Sequence, residues 1–189
     1  MKDIVIIGAG GHAKVVLDIL LEINKVENNI NILGFLDDKK QGNIYNISIL
    51  GKISDLKKVI KNWKSINFII AIGDNKLREE IYKKNQELKF MTLIHPSAVI
   101  GNYTSIGNGT IVKANTTIGI GTKIGKFCLI NSNVSVEQDC IIEDFVHIYP
   151  NVSIYGNNII KDRLEIKSNS CIGEGKKIKD NIEFGEVVS

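Results

Sequence analysis

Gly8-Ala9-Gly10-Gly11-His12-Ala13 is the first run in this chain whose residue types could handle a ligand. Gly8-x-Gly10-x-x-Ala13 has the form of a dinucleotide-binding fingerprint, in which a strand turns into a helix and free backbone N–H groups at the helix N-terminus face a diphosphate. Glycines that merely make a tight βα turn would read the same way. Asp37-Asp38 could accept hydrogen bonds from a ribose or a base, or form a solvated acidic turn, and Gly73-Asp74-Asn75 repeats the choice. His12, His95 and His147 are the only histidines. His12 follows the glycine loop and is placed to touch a ligand rather than to exchange protons. His95-Pro96 reads as a structural junction. His147 is either a proton acceptor or a polar residue satisfied at a subunit interface. The three cysteines lack CxxC spacing, and Cys128 and Cys140, on inward positions of a six-residue repeat, read as buried small hydrophobes rather than ligands or disulfides.

The elements that position the glycine loop alternate between strand and helix. Ile4–Ile7 is a short apolar run, followed by an amphipathic helix with Val15, Val16, Ile19, Leu20 and Ile23 on one face. Asn31–Leu36 reads as a second strand ending at Asp37-Asp38. Ser54 is placed to cap a helix bearing Leu56, Val59, Ile60 and Trp63. Phe68–Ile72 is a third strand, after which Gly73-Asp74-Asn75 opens a helix through Leu77 and Ile81. This alternation predicts an α/β, Rossmann-like domain over residues 1–92 with a small parallel sheet and right-handed crossovers.

From Ile100 the rule changes to an apolar residue at every sixth position, through Ile106, Val112, Ile118, Ile124, Ile130, Val136, Ile142, Ile148, Ile154, Ile160, Ile166, Ile172, Ile178 and Phe184. Neither the 3.6 period of a helix nor the 2 period of a strand demands six; a solenoid of short parallel strands does. Two residues before each come small or β-branched side chains such as Thr104, Thr110, Thr116, Thr122, Cys128, Val134 and Cys140, which alternation across a strand also points inward. Glycine follows the core residue at 101, 107, 119, 125, 173 and 185, where a tight corner tolerates little bulk. Asn158 and Lys176 fall on inward positions and predict weaker last coils. Three hexads make a triangular coil, so residues 93–189 form an all-β parallel β-helix of about five coils.

Net charge is +3, evenly spread, which argues against nucleic acid or membrane partners. No stretch approaches the ~20 apolar residues of a membrane span, and Met-Lys-Asp-Ile-Val-Ile-Ile has no signal-peptide pattern, so a cytoplasmic protein is expected.

Together Ile7–Ala13, Phe35-Leu36-Asp37-Asp38, Ala71-Ile72-Gly73-Asp74-Asn75, Leu93-Ile94-His95-Pro96-Ser97-Ala98 and the segment Asn131–Pro150 resemble the bacterial sialic acid O-acetyltransferases and UDP-amino-sugar N-acetyltransferases, over nearly the whole chain. The resemblance implies a left-handed β-helix and a homotrimer. It implies an N-terminal domain for a UDP- or CMP-linked amino sugar, or free sialic acid, with the diphosphate near Gly8, Gly10, Gly11 and His12 and the nucleoside near Asp37 and Asp38. It implies acetyl-CoA as co-substrate, lying along the β-helix between subunits. NAD fits poorly because no domain for hydride chemistry follows. Zinc is not expected either: γ-type carbonic anhydrases share such a β-helix but need three histidines on one metal.

In that family the general base is a histidine within Asn-x(5)-Glu-His-Asp/Glu. Here the segment runs from Asn131 to Glu137-Gln138-Asp139, and glutamine cannot take a proton. By resemblance His147 lies near the acetyl thioester and the Gly156 N–H is the oxyanion donor. Gln138 and Gly156 are eighteen residues apart and should stack at one corner, while His147, nine from each, should face the opposite side of its own prism and meet Gln138 only from a neighbouring subunit. Asp139 is nearer, but a carboxyl with pKa ~3.9 is a poor base. The expected function is an acetyltransferase using another base or positioning alone; the alternative is a non-catalytic, sugar-nucleotide-binding trimer. Relatives continue past the final valines into a Gly-x-Pro-Ala segment near CoA, whereas this sequence stops at Val187-Val188-Ser189, which puts CoA affinity in question.

Overall fold

The computed structural model describes residues 1–61 and 65–189. They form two compact units, 1–91 and 92–189. In the first, β1 (Lys2–Ile7), α1 (Gly11–Glu27), β2 (Ile30–Leu36), β3 (Asn43–Ile44), β4 (Ile47–Gly51), α2 (Leu56–Ile60), β5 (Ile66–Ile70) and α3 (Asn75–Lys84) follow in order. The sheet order is β3-β4-β2-β1-β5. It is parallel except for the β3–β4 hairpin. Strand β1 is buried from Ile4 to Ile7 and β5 throughout, the continuous apolar pattern of parallel strands covered on both faces.

Several local expectations shift. Val15 is 40% exposed; α1 buries Ala13, Val16, Leu17, Ile19, Leu20 and Ile23 instead, because one residue before Val16 is a rotation of ~100° away from it. Strand β5 ends at Ile70, so Ala71 and Ile72 belong to the loop. Ser54 sits inside a 3₁₀ turn, Ile53–Asp55, and the carboxylate of Asp55 accepts from Lys52 N at 3.2 Å. Trp63, expected on the next apolar face, lies outside the described residues.

In the second unit each strand pairs in parallel with the strand eighteen residues on, so that Ile118 pairs with Ile100 and Val136, and Ile130 with Val112 and Ile148. Three sheets result, with the stacked isoleucines and valines in a single core. The positions two residues earlier are equally systematic. The Thr110, Thr116 and Thr122 hydroxyls donate to the carbonyls of Gly125, Asn131 and Glu137, fifteen residues on, at 2.7–2.9 Å. The Cys128 and Cys140 thiols donate to Glu143 and Tyr155 with the same spacing. Asn158 follows suit with Gly173 and also accepts from Lys176 N. The polar inward residues thus tie each coil to the next, and Asn158, fully buried, strengthens its coil rather than loosening it.

The hexad rhythm breaks once. Ile172 pairs with Val188 and Ile166 bridges to Ile182, sixteen residues on instead of eighteen. Two residues are missing from the last coil. Phe184 is therefore 71% exposed and Ile182 takes the core place, and Gly185 no longer stands at a crowded corner. Ile182→Ala should cost about 2–5 kcal/mol and Phe184→Ser no more than about 0.5 kcal/mol in chemical denaturation. The reverse ranking would put Phe184 back in the core. Among the described residues no helix is long and apolar enough to cross a membrane.

Candidate active site

The loops after β1, β2 and β5 meet at the C-terminal edge of the parallel sheet, where ligands collect in open α/β folds. They enclose a cleft of about 360 Å³ lined by Gly8–His12, Asp37–Lys39 and Ala71–Gly73. Each glycine does a different job. Gly8 has φ +104°, and a Cβ there would stand 2.9 Å from Ala71 O, so the first and third loops touch through it. Beside Gly10, Gly11 and Gly73 there is open space. Gly10 caps α1 without a side chain, and the first helical turn carries no acid, so its N–H groups and dipole are open to an anion. Gly8→Ala should destabilise the N-terminal unit by about 1–3 kcal/mol through backbone strain. An unchanged melting temperature would mean that the two loops are not in contact.

Asp37 lines the cleft with its carboxylate held by backbone donors. Its carboxylate accepts from Ala9 N at 2.8 Å and from Lys39 N and Lys40 N at 2.9 Å. Burial works to raise this carboxyl, and the three backbone donors outweigh it, holding it below the ordinary carboxylate value. Lys40 Nζ donates to Ala9 O at 2.7 Å, so the turn grips both polar atoms of Ala9. Asp38 accepts from Ile53 N at 3.0 Å and borders both this cleft and a second cavity of about 420 Å³ that also shares Ile53 and Leu77 with it. Asp74 caps α3 through Leu77 N at 2.7 Å. Asn75 accepts from Arg78 Nη2 at 2.6 Å. Arg78, fully buried, donates from Nη1 to the carbonyls of Ile72 and Gly73, both at 3.0 Å. Of the third motif, then, Gly73 lines the cleft while Asp74 and Asn75 shape its wall.

On the β-helix the Gln138 side chain lies across Gly156, one coil on, with its Cδ 2.7 Å from where a Gly156 Cβ would stand. Asp139 is exposed, in the left-handed region at φ 54°, with its carboxylate over Gly121. Asn131 is buried at another corner: its Nδ2 donates to Ile148 O at 2.7 Å and its Oδ1 accepts from Lys113 Nζ at 2.5 Å. His147 points outward from the adjoining strand, 9% exposed and stacked on Tyr149 with ring centroids 4.0 Å apart. Lys167 stands over the Tyr149 ring at 4.4 Å and pairs with Glu165. Gln138 follows one face of the prism and His147 projects from another, so a single chain does not bring them together. Among the described residues no group of three or more His, Cys, Asp or Glu is placed to hold a metal.

Lys113 and Arg78 were not singled out by sequence reasoning. Lys113 had a signal: it stands eighteen residues before Asn131, hence directly beneath it. Arg78 had none, because a helical arginine reads as solvated.

An α/β domain with a glycine-loop cleft and a parallel β-helix, in one chain, define a two-domain class of hexapeptide-repeat proteins. The model of the PglD N-terminal domain matches residues 3–85. Over 120 residues the chain is 30% identical to the UDP-N-acetylbacillosamine N-acetyltransferase of Bacillus subtilis, covering 60% of this chain and 52% of that protein. The chain spans about half the length, or less, of the curated relatives it matches. Among solved structures it is similar to the acetyltransferase domain of PglB from Neisseria gonorrhoeae in complex with acetyl coenzyme A, with TM-score 0.77, 26% identity and 98% and 95% of the two chains covered. GDP-perosamine N-acetyltransferase from Caulobacter crescentus, solved as a variant with CoA and GDP-perosamine, shares the fold with TM-score 0.80 at 24% identity, covering 99% and 93%. Residues 3–85 thus match the PglD N-terminal domain, and the chain as a whole shares its two-domain fold with these solved acetyltransferase structures.

Proposed function

We propose that this chain is an acetyl-CoA-dependent N-acetyltransferase acting on an amino sugar linked to a nucleoside diphosphate. The observation that carries the reading is the convergence of three loops on a cleft at the uncapped N-terminus of α1, in a chain that continues into an acyltransferase β-helix. The first-turn N–H groups of α1 hold the diphosphate and the cleft walls hold the nucleoside. UDP is the favoured carrier, since the relative at 30% identity is named for a UDP-linked sugar.

Nitrogen is favoured over oxygen as acceptor because of Gln138. A sugar hydroxyl keeps its proton at neutral pH and attacks only as a positioned base removes it. An amine has a free lone pair once its ammonium, near 10 or below, has lost one proton. Attack on the thioester then rests on positioning and on a donor for the developing oxyanion, a role assigned to the Gly156 N–H. Asn131 and His147 line the same centre from a second copy, since Gln138 and His147 stand on different sides of one prism; a homotrimer provides that copy. The cytoplasm, where sugar nucleotides and acetyl-CoA occur together, is the expected location. A non-catalytic trimer that binds sugar nucleotides is the second reading, favoured by the amide at 138.

Calorimetry separates the two. Binding of both acetyl-CoA and a UDP-linked amino sugar, followed by release of CoA thiol on mixing, supports the enzyme. Binding of the sugar nucleotide without acetyl-CoA supports the second reading.

A further inference from the structure

One corner of the β-helix carries a continuous column of polar side chains. His95, Lys113, Asn131, Tyr149 and Lys167 are each eighteen residues apart and stack coil on coil, their backbone N–H groups bonding successively to the carbonyls of Val112, Ile130, Ile148, Ile166 and Ile182. His147 projects from the adjoining strand. Such a column beside His147 calls for a use, and at the Gln138–Gly156 corner the amide of Gln138 cannot take a proton.

Lys113 is the member with the right chemistry. The Asn131 amide is locked by its bond to Ile148 O, so its oxygen is turned to Lys113 Nζ. A neutral amide oxygen holds the amine in place without holding its charge, as a carboxylate would. Among the described residues no carboxylate bonds Lys113. His95 stands on the coil before it and Asn131 on the coil after. Glu165, three coils on, is paired with Lys167 and receives the Tyr149 hydroxyl. Burial alone lowers the Lys113 ammonium to about 8, so an appreciable fraction is neutral near physiological pH. The other perturbed lysines, Lys25 and Lys167, are raised by their glutamates.

We infer that Lys113 is the proton acceptor for acyl transfer in this chain, presented at the Asn131 corner to the acceptor amine held by a neighbouring copy. The inference rests on the acetyltransferase reading above. The free amine of the sugar attacks the thioester carbonyl carbon, forming the C–N bond. The nitrogen's surplus proton passes to Lys113 Nζ. The C–S bond breaks as the tetrahedral intermediate collapses, and Lys113 returns the proton to the departing thiolate, leaving amide and CoA thiol. No oxidant or metal enters the balance. An amine of this basicity suits a nitrogen acceptor, whose surplus proton is readily given up once the C–N bond has formed.

The test compares wild type with Lys113→Met and Lys113→Arg, using acetyl-CoA and the UDP-linked amino sugar that wild type turns over. Arginine keeps a cation beside Asn131 but never deprotonates. Both variants should lose about 10²–10⁴-fold in kcat while binding each substrate within about twofold of wild type. The wild-type rise of kcat with pH centred near 8 should be absent from both, and added methylamine should restore part of the rate of Lys113→Met. A Lys113→Arg enzyme that keeps its rate and its pH limb overturns the inference and leaves the acetyltransferase reading standing. No turnover by wild type overturns both.

Discussion

Gln138→His is expected to raise kcat about tenfold at pH 7, with the gain fading above pH 8. The sizes follow from two titrations. A lysine near 8 is about one-tenth neutral at pH 7, whereas a histidine near 6.5 is about three-quarters neutral. At pH 9 both are neutral and the advantage is gone. Room for the ring exists, because the longer glutamine side chain already lies over Gly156. In a Lys113→Met background the same substitution replaces the only acceptor, and the gain should reach about 10²–10⁴-fold at any pH above 7. The measurement is steady-state release of CoA thiol across pH 6–9 in the two backgrounds. A gain of a thousandfold in the wild-type background at every pH would mean that Lys113 takes no part. No gain in either would mean that position 138 lies away from the reacting atoms.

The β-helix was legible because its period is a direct consequence of its geometry: one strand and one corner for every six residues. The same regularity misled at Phe184, an aromatic that happens to fall six residues after Ile178. The two-residue contraction had left a trace in Ile182 and Val188, themselves six apart. Asn158 looked like a defect because inward polar residues were counted one at a time; taken with the threonines and cysteines it repeats one hydrogen bond, to a carbonyl fifteen residues on. The β3–β4 hairpin was missed because its turn, Tyr45-Asn46, lacks the Asn-Gly pair that usually marks such turns.

The three loops of the N-terminal cleft were legible as a set, since each follows an apolar run. Which of their side chains face the cleft was not. Asp37 has the composition of a ligand-binding acid, yet its carboxylate is occupied by donors that include Ala9, distant in sequence. Asp74 looks the same in sequence and serves as a helix cap. A carboxylate beside a glycine loop is equally suited to holding that loop and to holding a sugar, and only the positions of the competing N–H groups decide between them.

Gly10→Val should weaken UDP binding about 10²-fold without unfolding the protein. Gly10 lies at φ −80° and ψ −164°, extended backbone that valine adopts readily, and no atom stands within 4 Å of the position its Cβ would take. The native fold therefore has no objection to the side chain. Loss of a glycine cap for a β-branched one should cost about 1 kcal/mol at most, partly offset by the stiffer unfolded chain. The ligand is affected far more. Valine methyls would occupy the space through which a diphosphate reaches the first-turn N–H groups, and charge-assisted hydrogen bonds of this kind contribute about 1.5–3 kcal/mol each. Losing one or two of them corresponds to roughly a hundredfold in affinity. Uridine, which lacks phosphates, should bind the variant and the wild type alike, which distinguishes a blocked phosphate site from a collapsed cleft. If UDP bound Gly10→Val as tightly as wild type, the diphosphate could not lie on this loop, and the open end of α1 would be no more than a consequence of the turn.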